Sequence, residues 1–86
     1  VVANLPTGLK KLCISDFRLE DSDIKILPRG LVKLILQNQQ SLTFQAYENL
    51  PPNLKKLELY KVGGLNQGIK LIPTSITKLS LLHCSE

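Results

Sequence analysis

Few residues in this chain have the types and spacing for chemistry. His83 and Cys84 adjoin one another, "EDSD" from Glu20 to Asp23 gathers three carboxylates, Cys13 offers a thiol, and Lys11, Lys33, Lys56 and Lys78 recur at near-equal intervals. A metal or catalytic centre needs convergent partners, and His83 has only Cys84 beside it. No ligand cluster accompanies "EDSD", which reads as the cap of a short turn. No Ser/His/Asp, Cys/His, paired-carboxylate or phosphate-loop arrangement has workable members, so the chain reads as a non-enzyme without a cofactor or metal. The lysines are left, and their meaning depends on what positions them.

Each lysine sits in one phrase written four times: "LPTGLKKLCI", "LPRGLVKLIL", "LPPNLKKLEL" and "IPTSITKLSL". The markers Pro6, Pro28, Pro51 and Pro73 stand 22, 23 and 22 residues apart. A fixed period of this size, with an apolar phrase recurring in register, marks a solenoid in which each repeat contacts its neighbours. The repeats run over about 5–26, 27–49, 50–71 and 72–86, the last partial, within one domain of 1–86.

The spacing L-x-x-L-x-L gives Leu9, Leu12 and Ile14; Leu31, Leu34 and Leu36; Leu54, Leu57 and Leu59; Ile76, Leu79 and Leu81. Alternation at its end predicts half-buried strands near 10–14, 32–36, 55–59 and 77–81. Links this long exclude hairpins and predict a mainly β fold of four parallel strands joined by right-handed crossovers. Each proline falls before its strand, where it costs no ladder bond and turns a corner. The returning segments supply Phe17, Leu19, Ile24 and Ile26; Leu42, Phe44 and Tyr47; Val62, Leu65, Ile69 and Leu71, enough to fill the inside of a coil. None has a helical stripe over three turns, so irregular or single-turn 3₁₀ structure is expected, with Gly63 and Gly64 allowing a tight bend.

Composition sets the outer bounds. The 86 residues are 43% hydrophobic and 21% charged, and 11 Lys and Arg against 7 Asp and Glu give +4, which permits anionic partners without demanding them. Nucleic acid is not expected from charge alone. There is no apolar run of about 18 residues and no signal-peptide pattern, so no membrane partner is expected. Parallel strands about 4.8 Å apart place Cys13 and Cys84 about 14 Å from each other, beyond the roughly 7 Å reach of a disulfide. Free thiols favour a reducing, cytoplasmic compartment. Cys13 faces outward in this register and reads as an inert thiol.

These phrases resemble the leucine-rich repeat family, whose pattern is L-x-x-L-x-L-x-x-(N/C)-x-L. "ITKLSLLHC" from Ile76 to Cys84 fits best, whereas Phe17, Gln39 and Val62 hold the Asn/Cys position in the other copies. The phrase "IPTSITKLSL", the period and "LNQGIK" resemble the FNIP subtype, abundant in slime moulds and giant DNA viruses of protists. The resemblance implies a right-handed arc whose concave side is lined by the sheet and binds proteins, with no shared catalytic residue. Nothing in the chain matches the F-box that some FNIP proteins carry.

The columns up the sheet complete the reading. Lys11, Lys33, Lys56 and Lys78 form one; Cys13, Ile35, Glu58 and Ser80 the next; Ser15, Gln37, Tyr60 and Leu82 the third. The lysines suit an acidic partner, unless they merely came with the duplicated repeat and keep the sheet soluble. Ile35, Gln37, Glu58 and Tyr60 form the candidate specificity patch. The expectation is a protein-interaction module. The alternative is a structural, self-assembling protein whose open ends associate end to end, or a piece of a longer array; a weaker one is an anion site on the lysines.

Overall fold

The computed structural model describes residues 5–6, 8–15 and 17–82. The expectations for His83 and Cys84, including the Cys13–Cys84 separation, lie outside them. The four proline phrases make one and the same turn: the carbonyls of Pro6, Pro28, Pro51 and Pro73 accept from the N–H of Leu9, Leu31, Leu54 and Ile76, at 3.2–3.3 Å. Proline has only its carbonyl to offer, and this turn uses it. The residue closing the turn is the first of each phrase to enter the core. Leu31 and Leu54 are fully buried, while Leu9 and Ile76 pack at its edges.

The strands follow directly. β1 (Lys11–Ile14), β2 (Lys33–Gln37), β3 (Lys56–Tyr60) and β4 (Lys78–Leu82) form one parallel sheet in chain order, and the architecture is mainly β. Each begins one residue later than the alternation predicted. At every joint one carbonyl takes two amides: Lys10 O from Val32 and Lys33, Val32 O from Lys55 and Lys56, Lys55 O from Thr77 and Lys78. Positions 32, 55 and 77 are spent on this shared bond, so the regular ladder starts at the lysine. At the far end Asn38 and Lys61, at φ 60° and 55°, turn the chain off the sheet while donating to Tyr60 O and Leu82 O. Asn tolerates this left-handed conformation well, whereas Lys61 is held there by the ladder bond.

The returning segments differ from expectation. Instead of irregular or purely 3₁₀ structure they hold one-turn α-helices, α1 (Asp21–Lys25), α2 (Phe44–Glu48) and α3 (Leu65–Gly68), with a 3₁₀ turn only at Ile69–Leu71. So short a helix needs no apolar stripe; it needs caps. The Asp23 carboxylate accepts from Glu20 N–H at 2.9 Å, so "EDSD" does cap a turn. Thr43 Oγ1 accepts from Gln45 N–H at 3.3 Å, and the Asp21 carboxylate takes both the N–H and the hydroxyl of Thr43, joining α1 to the cap of α2. Arg29 closes α1 from below, donating to the carbonyls of Ile24 and Leu27 and reaching Asn49 O.

One continuous core lies between the strands and these turns. It contains Leu34, Leu36, Leu57 and Leu59 from the sheet, and Leu19, Ile24, Leu42, Ala46, Tyr47, Val62 and Leu65 from the returning chain. Phe17, Ile26, Phe44 and Ile69, expected inside, are exposed. One turn of helix turns only one or two residues inward, and these four fall on its outer side or beyond it.

Two contacts lock neighbouring repeats together. Gln39 is 1% exposed, and its side chain is fully used. Oε1 accepts from Leu19 N–H at 2.8 Å, and Nε2 donates to Phe17 O at 2.6 Å and Gln37 O at 3.2 Å. Further along, the Tyr47 hydroxyl donates to Gly63 O, and the Tyr47 ring lies so close to Gly68 that a Cβ there would stand 2.2 Å from it. Gly64, at φ +74°, leads into α3 with equally little room beside the Thr43 backbone.

Gln39→Leu removes the three hydrogen bonds of this side chain, and should cost about 2–4 kcal/mol in urea unfolding, more than a peripheral Gln37→Leu. Gly68→Ala should cost about 1–3 kcal/mol by overpacking, and Tyr47→Leu in the same chain should recover part of it because the obstructing ring is gone.

Candidate functional site

The strand register builds the candidate face. Successive side chains along a strand point to opposite sides, so residues one, three and five of each strand share the face turned away from the core. In-register pairing then stacks Lys11, Lys33, Lys56 and Lys78 in one column, and Cys13, Ile35, Glu58 and Ser80 in a second. Gln37, Tyr60 and Leu82 form the third. All eight residues singled out in the sequence therefore share one face of one sheet. Ser15 lies just past the end of β1.

Their environments are unequal. Lys11, Lys56 and Lys78 are exposed, whereas Lys33, Ile35, Gln37, Glu58 and Tyr60 are half-buried by their neighbours. Lys33 Nζ lies 3.7 Å from the Glu58 carboxylate, a diagonal contact between β2 and β3 and the one ion pair formed among the described residues. With both partners open to water, its contribution is about 0–1 kcal/mol. Lys61 Nζ stands 5.5 Å from the centroid of the Tyr60 ring, within cation–π range.

Ile35 divides the face into two shallow hollows of about 300 Å³ each. One is lined by Lys11, Cys13 and Lys33, the other by Gln37, Glu58, Tyr60, Ser80 and Leu82, and Ile35 borders both. Leu82 and Ser80 are additions to the sequence-derived patch. The sequence signal for Leu82 was the alternation itself: once β4 runs to residue 82, its fifth position falls beside Tyr60. Leu82 is 58% exposed, an apolar neighbour on a face otherwise rich in lysine.

A third hollow of about 490 Å³ lies between α2 and α3, lined by Leu42, Thr43, Phe44, Gly64, Asn66 and Gln67. None of these side chains is ionisable, and the Thr43 hydroxyl is engaged with the Asp21 carboxylate. Among the described residues no three His, Cys, Asp or Glu side chains gather to hold a metal, and no helix is long and apolar enough to cross a membrane. What the open face can do is attract anionic surface through lysine and grip apolar groups around Ile35 and Tyr60. The chain matches no protein-family model, and neither a curated protein nor a solved structure is significantly similar to it.

A double-mutant cycle on Lys33 and Glu58 should give a coupling of about 0.2–1 kcal/mol at low ionic strength that shrinks as salt is added. A larger, salt-insensitive coupling would mean that the pair is held out of water.

Proposed function

We propose that this chain is a non-enzymatic protein-interaction module, a short leucine-rich-repeat solenoid of the FNIP type that binds a protein partner on its sheet face. The 22–23-residue period and the strands paired in register support the solenoid reading. The single observation that carries the binding reading is the third dimension of the face: a lysine column, beside it a ridge at Ile35, and beyond it Tyr60 and Leu82 around a hollow. Protein-binding patches combine apolar and aromatic anchors with flanking charge in this manner.

The experiment is selection of a displayed peptide library on the immobilised chain, followed by measurement of each selected sequence against Ile35→Thr and Tyr60→Thr. Both substitutions leave a residue of good strand propensity, β-branched threonine, on the strand, so the sheet is preserved while the anchors go. Selected sequences should bind the parent at least about tenfold more tightly than either variant. Enrichment that ignores both substitutions, or no enrichment, rejects the open face as the binding surface.

A second reading, self-assembly through the sheet's edge, has its own observation. Leu79 and Leu81 continue the rows of buried Leu57 and Leu59 in β4, yet they are 41% and 39% exposed. An edge strand with exposed apolar side chains is a template for pairing. Sedimentation velocity over a wide concentration range should reveal dimers or longer species that Leu81→Lys abolishes; a monomer throughout rejects this reading.

A further inference from the structure

We infer that the open face takes an acidic amphipathic α-helix, lying along the lysine column and across the strands, with carboxylates toward the lysines and apolar residues toward Ile35, Tyr60 and Leu82. The inference rests on the face-binding reading above and adds the partner's chemistry and secondary structure.

Charge comes first. Among the residues of the four strands Glu58 is the sole acid, and it lies against Lys33. Lys11, Lys56 and Lys78 remain on the face, with Lys10, Lys55 and Lys61 at its margins. A partner that fits must therefore bring its own carboxylates, arranged in a line.

Spacing decides between a helix and an extended chain. Successive lysines rise by about 4.8 Å per strand, close to the ~5.4 Å pitch that brings helical residues three or four apart back to one side. Over three intervals the mismatch is about 2 Å, which flexible lysine stems absorb. An extended peptide repeats its same-side residues every ~6.7 Å, so over the same length it drifts by about 6 Å, more than a whole strand spacing. The width agrees as well. Three columns span about 13 Å, and one helix with its side chains covers about 10–12 Å.

The apolar residues supply the second stripe. Ile35 in the middle column and Tyr60 with Leu82 in the third run diagonally beside the lysines and border the same hollow. Glu58 occupies the centre of the face and competes with the partner's carboxylates for Lys33. Its removal should therefore strengthen binding, an effect that a face selecting for general polarity would not produce.

The probe is a synthetic peptide with Glu at i, i+4, i+7 and i+11, Leu on the adjoining stripe and Ala or Gln elsewhere, compared by fluorescence anisotropy with a scrambled isomer of the same composition. The striped peptide should bind the full chain about tenfold more tightly than the isomer, and more weakly as salt rises. Lys56→Ser should weaken it about 2- to 5-fold, and Glu58→Gln should tighten it by a similar factor. Equal binding of the isomer overturns the inference in favour of unspecific attraction. Tighter binding of a single-stranded oligonucleotide than of the striped peptide overturns it in favour of nucleic acid. If the striped peptide fails while library-selected ligands still require Ile35 and Tyr60, the helical partner alone is rejected; if both fail, so is the face-binding reading.

Discussion

Parallel pairing in unbroken register is the constraint to which everything else in this chain answers. Each strand must return to the same end of the sheet one strand spacing further on, and a slip of a single residue would turn every leucine outward and every lysine inward. The shared carbonyl at the start of each strand sets that register, because one acceptor holds two consecutive amides of the next repeat. Once it is set, equivalent positions of the four phrases stack, leucine on leucine inside and lysine on lysine outside. The mixed column of Cys13, Ile35, Glu58 and Ser80 obeys the same register, so the lysine column belongs to the repeated phrase itself, and the repulsion between stacked lysines comes with it. Long, solvated stems that splay apart keep it small.

The strands repeat closely; the segments between them do not. Where the strands use one rule four times, each return has its own device: the Asp23 cap and Arg29 at α1, Thr43 at α2, and the glycine pair ahead of α3. Gln39 is the clearest case. Its side chain bonds three backbone groups, Leu19 N–H, Phe17 O and Gln37 O, where the chain leaves the sheet. The returning chain thus combines its own backbone turns with side chains chosen locally, and none of these side chains comes from the outward columns of the sheet.

This division explains what could be read in advance. The four strands, their parallel order and the three columns follow from periodicity, because alternation and spacing are properties of sequence alone. The one-residue shift of each strand was hidden, since a carbonyl shared by two amides leaves no trace in side-chain pattern. The one-turn helices were hidden for a different reason: their stability comes from caps and from packing against the next repeat. Phe17, Ile26, Phe44 and Ile69 looked internal because apolar character was visible while the direction of a single turn was not. Gln39 stood out as a departure at the Asn/Cys position, yet its residue type alone did not reveal that it reaches into the preceding repeat. At the candidate face, Lys33, Ile35, Glu58 and Tyr60 were legible as neighbours. The diagonal ion pair and the two hollows beside Ile35 depend on rotamers and needed coordinates.

The fit of Tyr47 onto Gly68 carries a consequence for the chain as an assembly of parts. No glycine occurs between Gly30 and Gly63, so the second repeat offers no cavity of its own for a tyrosine ring. A copy of that repeat inserted after itself would set a Tyr47 against a repeat without one. The four phrases share a spelling, yet the second and third repeats are a matched pair in fixed order, and lengthening or shuffling the array would have to respect that seam.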